Sequence, residues 1–289
     1  MNKAGVASPM DQKEHRASSA WPIVNGKEHE SPSVFQPEAL LREARRQKGV
    51  PLVDVPRVCV LDPDGDVVRH LKRTGASSIH KGWACYHTDL LSFDIDGVGE
   101  VGILGCAVGA PFAVRVAEQL FASGCRLLIS VTSAGQIADN GPPPYFVLID
   151  RALRDEGTSY HYLPPATFAH APDAMLLARV EEALCTLPGI AVCRGATWTT
   201  DAPYRETETA IASARDAGTL AVEMEAAALY AFATAKSRSV ICFAHVTNTM
   251  ARADGDFEKG EADGATATLA IVAAAARAWS DQCFPAAGI

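Results

Sequence analysis

Residues 220–230 read Leu-Ala-Val-Glu-Met-Glu-Ala-Ala-Ala-Leu-Tyr, an apolar run that breaks into two carboxylates around a methionine and continues as a small-residue helix. The apolar part is far shorter than the ~20 residues of a membrane span and too apolar for a surface loop. It reads as a buried strand. Glu223 and Glu225 therefore stand where buried β-structure meets a helix start, a place where an ionised carboxylate costs free energy unless it binds something polar. Two readings are open. In one the triplet is a ligand site: a carboxylate accepts both hydroxyl protons of a sugar diol while Met224 packs on the apolar sugar face. In the other the two acids simply favour the positive end of a helix.

Outward from this stretch the chain alternates short apolar runs with helical spacing. Strands are expected at 58–61, 126–131, 145–149, 192–197 and 240–247, with a further pair over 83–94 and 99–105. Helices are expected over 65–73, 111–123, 174–187, 204–217, 225–236 and 263–281, after an N-terminal one that ends near 48. Strands alternating with helices predict an α/β fold, a single domain with a central twisted mixed β-sheet flanked by helices. Residues 1–32 are polar without periodicity and read as a flexible tail, leaving 33–289 as the domain.

Composition narrows the function classes. A chain of 289 residues that is 48% hydrophobic can bury one large core. A formal charge of −8, with no basic stripe beyond 42–48, argues against a nucleic-acid partner. The eight cysteines show neither Cys-x-x-Cys nor metal-ligand spacing, so reduced thiols, no metal and a cytoplasmic location are expected. No secretory leader opens the sequence and no apolar run reaches membrane length.

Five further segments are distinctive: Gly105-Cys-Ala-Val-Gly-Ala-Pro111, Ser130-Val-Thr-Ser-Ala-Gly135, Arg154-Asp-Glu-Gly-Thr-Ser-Tyr-His-Tyr162, Thr197-Trp-Thr-Thr-Asp201 and Val246-Thr-Asn-Thr249. With the Val-Glu-Met-Glu triplet, they resemble in composition and order the nucleoside phosphorylase family, the branch containing purine and uridine phosphorylases and related nucleosidases. The resemblance covers roughly 55–280. It implies a nucleoside phosphorylase-like fold, a nucleoside as small-molecule partner, cleavage of its N-ribosidic bond, no cofactor other than phosphate as a possible co-substrate, and a homo-oligomer between dimer and hexamer.

The chemistry itself asks for particular groups. Breaking an N-glycosidic bond develops positive charge on the ribose and negative charge on the base, so carboxylates belong near the sugar and donors near the base. Glu225 is the candidate for the ribose hydroxyls, with Met224 on the sugar and Glu223 orienting it. The base side falls to Thr200, Asp201, Tyr204 and Arg205, with Asn248, and with Tyr160 and His161 at the cleft; the local alternative is an Asp cap with Tyr packed beneath. Asn248 sits where, by the resemblance, purine-specific relatives place an aspartate and uridine-specific ones an asparagine. An asparagine cannot protonate a purine nitrogen, which implies a uridine phosphorylase-like preference.

The acceptor side departs from the family. Its phosphorylases carry a Gly-Asp-Pro-x-x-Arg turn, a second arginine at the Arg-x-Gly-Thr strand end and a third from a neighbouring subunit. Here the turn is Leu61-Asp-Pro-Asp-Gly-Asp66, the second arginine's place is Ser130 and the following glycine's is Thr132. Phosphate needs cationic, preferably bidentate donors. Ser130, Thr132, Ser133 and Gly135 offer only hydroxyls and amides. Nucleosidases of the family lack these arginines and use a carboxylate near the first turn to activate water, a role open to Asp64 or Asp66 unless they only cap a helix. Hydrolysis is therefore the expected reaction. The alternatives are phosphorolysis, with Arg69, Arg154 or an N-terminal arginine restoring the anion site, and a non-catalytic nucleoside-binding protein.

Overall fold

The computed structural model describes residues 23–250 and 256–283. In chain order these form α1 (Pro37–Lys48), β1 (Val58–Asp62), α2 (Asp66–Thr74), β2 (Ser78–Ile79), β3 (Leu91–Ile95), β4 (Gly99–Gly105), α3 (Ala110–Ala122), β5 (Leu127–Gln136), β6 (Tyr145–Asp155), β7 (Phe168–His170), α4 (Ala174–Leu184), β8 (Val192–Thr200), α5 (Glu208–Asp216), β9 (Thr219–Glu223), α6 (Ala226–Lys236), β10 (Ser239–Asn248) and α7 (Ala265–Cys283). Short 3₁₀ turns occupy Ser159–His161, Pro203–Arg205 and Glu261–Gly264. The mixed sheet with helices on its faces is the α/β architecture expected from the sequence.

The sheet also closes on itself. β5 runs parallel to β10, β10 antiparallel to β6, β6 parallel to β8, β8 parallel to β9, and β9 returns antiparallel to the end of β5 at Gly135 and Val222. Closure removes the free edges of these strands. From β5 the sheet continues outward through β1, β4, β3 and β2. β5 thus serves three neighbours: β1 along Leu127–Ser130, β10 along its length and β9 at its tip.

Alternation along β5 sorts its side chains. Leu128 and Ala134 join the core with α3 and α6, whereas Leu127, Ile129 and Val131 face α4 and α7. α6 is buried all round from Ala226 to Ala233, so it has no polar face. Its Tyr230 hydroxyl donates to the Ile149 carbonyl at 2.6 Å and accepts from the Cys242 amide at 3.1 Å, which satisfies the one polar atom of that face.

Some boundaries differ from the sequence reading. The strand expected from residue 83 begins at Leu91, because the Trp83 indole N–H turns back onto the Thr88 carbonyl at 3.0 Å and closes a loop. β6 runs on to Asp155, held by β8 on one side and β7 on the other. The helix expected from 204 starts at Glu208, where Thr207 caps it through the Ala210 amide. Of the expected tail, residues 1–22 lie outside the described residues; in the remainder, His29 contacts the Tyr160 carbonyl at 3.1 Å and Lys27 the His161 ring at 3.2 Å.

Candidate active site

The two carboxylates of the Glu-Met-Glu triplet have different surroundings. Glu223, at the end of β9, accepts from the Thr197 and Thr199 hydroxyls at 3.1 and 2.5 Å through one oxygen. Its other oxygen accepts from the amides of Glu225 and Ala226, both at 2.7 Å. Those amides open α6, so Glu223 is its cap, supplied from outside the helix. Every strong acceptor direction is filled by the protein. Glu223 is placed to orient its neighbours, and no oxygen of it is left for a sugar.

Glu225 is 1% exposed, and although it stands at the N-cap of α6 its side chain makes no cap hydrogen bond there. Its Oε1 accepts from the Gly109 amide at 2.6 Å, at the start of α3. Its Oε2 is buried and has no hydrogen-bond partner among the described residues. Burial first, and then the charge of Glu223, push the carboxyl up to about 8, with the Gly109 amide and the Thr132 hydroxyl pulling the other way. A buried acid with one committed and one unpartnered oxygen is a candidate for binding a polar ligand. Met224 between the two acids is half-buried.

On the acceptor side the three aspartates separate. Asp62 is spent on the turn: it accepts from the amides of Gly65 at 3.1 Å and Val68 at 2.9 Å, and burial lifts it to about 6. Asp66 is held by two cations, Arg69 and Lys259, each at 2.5 Å. Asp64 alone turns towards the sheet, where its carboxylate accepts from the Ser133 amide at 2.7 Å. The turn permits this because Gly65 has φ +77, and a Cβ there would lie 2.8 Å from Cys106 Sγ. Ser130 Oγ is buried without a partner among the described residues, and Thr132 on the same face of β5 lies by Glu225. Asp64, Ser133, Thr132 and Glu225 therefore form one group.

The candidate base residues are less gathered. Thr200 Oγ accepts from the Ala202 amide at 3.1 Å, and Asp201 accepts from the Gly157 amide at 2.8 Å. Tyr204 is 99% exposed and Arg205 is exposed, whereas Asp201 lines a cavity of about 620 Å³ with Gly157, Thr158, His161 and Tyr162. Tyr160 lies with its ring 4.4 Å from the Arg154 guanidinium and its hydroxyl on the Arg154 carbonyl. Arg154 is itself occupied by Ser159 Oγ and the carbonyls of Leu163 and Pro164, so it is not free to bind an anion. Asn248 is buried at the end of β10, its Oδ1 accepting from the Met250 amide at 2.9 Å and its Nδ2 donating to Thr247 Oγ at 3.3 Å. Gly135 packs beneath it: a Cβ there would lie 2.6 Å from Met250 Sδ.

Sequence reasoning passed over the Gly109 amide, Lys259 and the two threonines. The alternation Thr197-x-Thr199 places both hydroxyls on one face of a strand and carried that information. The pairing of Lys259 with Asp66 spans 193 residues and left no local signal.

Comparison with known proteins bears on the family and the fold. The sequence model of the Phosphorylase superfamily matches residues 57–279. The chain is 31% identical over 134 residues to the DeoD-type purine nucleoside phosphorylase of a Bacillus cereus strain, a match over 46% of this chain and 57% of that relative. The chain thus spans little more than half the length of the curated relative it matches. Among solved structures, uridine phosphorylase from Vibrio fischeri ES114, complexed with 6-hydroxy-1-naphthoic acid, superposes with a TM-score of 0.66 at 20% identity, over 78% of this chain and 92% of that one. AMP nucleosidase from Bacteroides thetaiotaomicron VPI-5482 superposes with a TM-score of 0.67 at 19% identity, over 86% and 100%. These likenesses are of fold. The chain belongs to the phosphorylase superfamily.

Proposed function

We propose that the protein cleaves the N-ribosidic bond of a nucleoside and passes the sugar to water, with Glu225 holding the ribose hydroxyls, Met224 against the sugar and Asp64 as general base. The observation that carries this reading is the 2.7 Å contact of the Asp64 carboxylate with the Ser133 amide. An anion of the protein already accepts the strand-end amide that an incoming phosphate would require. In the step, a water oxygen bonds to C1′ as the C1′–N bond breaks. The bonding pair leaves with the base and the water proton passes to Asp64. Glu225 stabilises the positive sugar as that charge develops.

Asn248 supports a pyrimidine preference. Its carbonyl oxygen is taken by the Met250 amide, so only N–H remains for the base. Such a donor favours a carbonyl-bearing base that leaves without prior protonation. Asn248→Asp is expected to move the purine-to-pyrimidine ratio of kcat/KM towards purines by about tenfold. An unchanged ratio would remove this residue as the discriminator.

Phosphorolysis is the second reading, favoured by Arg69 and Lys259, the two cations at Asp66. The deciding experiment incubates the protein with uridine, inosine, adenosine and 5′-methylthioadenosine, each with and without phosphate, and identifies the sugar product. Free ribose without phosphate, fastest from uridine, is expected. Ribose 1-phosphate formed only with phosphate would establish the second reading, and no product from any substrate would leave a nucleoside-binding protein.

A further inference from the structure

On the face of the sheet away from Glu225, a cavity of about 470 Å³ opens between β6, β10, the loop 187–191 and the first turn of α7. Its floor is apolar, from Pro144, Phe146, Ile190, Ala267 and Ala270. Its polar lining residues are His245, Lys259, Glu261 and Thr266. His245 is 5% exposed, its ring stacked on Phe146 with centroids 4.3 Å apart and 5° between the planes. The Cε1–Nδ1 edge is pressed against Gly264, which stands at φ +82 where a Cβ would collide with Cε1. The imidazole is thus clamped, and its buried Nε2 has no partner among the described residues. A buried, orphaned ring nitrogen in a cavity wall is an unmet hydrogen bond.

Lys259 supplies charge beside it. Its ammonium reaches Asp66 at 2.5 Å while its side chain lines the cavity. The 19-residue helix α7 opens here as well, with Thr266 and Ala267 in the wall, and adds the positive end of its dipole. Glu261 stands exposed at the rim. Burial and the Lys259 charge hold His245 down to about 4, against the pull of Asp64 and Asp66, so it meets a ligand as neutral imidazole. Neither residue takes part in the proposed hydrolysis.

We infer that this cavity is a second ligand site that takes a small amphiphilic carboxylate, its apolar body on Phe146, Ile190 and Ala270 and its head between Lys259 and the start of α7, with His245 Nε2 completing the contact. The apolar body and the polar head are both required: water would satisfy the imidazole but not the floor, and a hydrocarbon would cover the floor but leave the His245 nitrogen without a partner. The site also touches the acceptor side from behind, because Lys259 holds Asp66 and His245 pairs across the strands with Ser133, the residue that holds Asp64.

The test uses octanoate as the probe, with octan-1-ol and inorganic phosphate as the arms that separate body from head. Calorimetry on the whole protein is expected to show saturable one-to-one binding of octanoate, at least about tenfold tighter than either arm. The ¹⁵N resonance of the His245 ring should shift on saturation. Ala270→Trp, which fills the floor, and Lys259→Gln, which removes the head's partner, should each weaken binding at least about tenfold. No saturable binding, an unmoved His245 resonance, or affinity that survives both substitutions would overturn the inference.

Discussion

Glu223 and Glu225 are two residues apart and carry the same group, yet burial gives them opposite employments. Glu223 is satisfied by two hydroxyls and two amides, whereas Glu225 retains an orphaned oxygen. Their substitutions should separate accordingly. Glu225→Ala is expected to lower kcat/KM by roughly two to four orders of magnitude with little change in melting temperature, since relief of a buried carboxyl offsets the loss of the Gly109 contact. Glu223→Ala leaves four buried donors without their acceptor and is expected to cost about 3 kcal/mol of stability, measured by denaturant titration. Equal effects of both changes on activity and stability would erase the distinction. A pH dependence follows from the same residue. The Glu225 carboxyl, lifted to about 8 in the folded protein, is protonated in the native state over a range where the unfolded chain has already lost that proton. Native protein therefore binds more protons than unfolded chain, and this group's contribution to stability falls as pH rises from about 4.5 to about 8. Glu225→Gln should flatten that part of the stability profile. Accepting both ribose hydroxyls needs the ionised form, so kcat/KM should rise towards pH 8; a profile flat from pH 6 to 8 would argue against this role.

At the scale of elements, most of the architecture was legible. The strand into α6, the strand β1 and the helix α3 follow from apolar runs and from spacing at three and four, because burial imposes those periods locally. The loop before Leu91 was not legible, since the Trp83 indole contact that closes it is a matter of tertiary geometry. Nor does a sequence disclose that β9 returns to the tip of β5, the crossing that sets Glu225 over Thr132. The site divides in the same way. The residue pattern named Glu225, and the family resemblance named Asp64 and Ser133, as candidates. Their assembly depends on contacts such as Asp64 to Ser133, 69 residues apart, and Gly109 to Glu225, 116 apart, which no local pattern encodes. The loop from Asp201 to Arg205 had a suggestive composition, and the structure leaves its Tyr204 in solvent.

For the whole molecule, the closed ring of strands is a rigid frame with a carboxylate group at the tip of β5 and an apolar cavity behind it. Rigidity matters to the chemistry, because a general base contributes only when held within hydrogen-bond reach of the attacking water. No helix of the described residues is long and apolar enough to cross a membrane. The account turns on Asp64, the one aspartate of the acceptor turn that neither caps a turn nor is neutralised by cations. The most direct test compares Asp64→Asn and Asp66→Asn with the unaltered protein in phosphate-free buffer, following free ribose from uridine by single-turnover kinetics. Asp64→Asn should lose roughly two to four orders of magnitude in kcat with substrate affinity kept, while Asp66→Asn should lose far less. An Asp64→Asn variant that turns over like the unaltered protein, or an unaltered protein silent until phosphate is added, would contradict it.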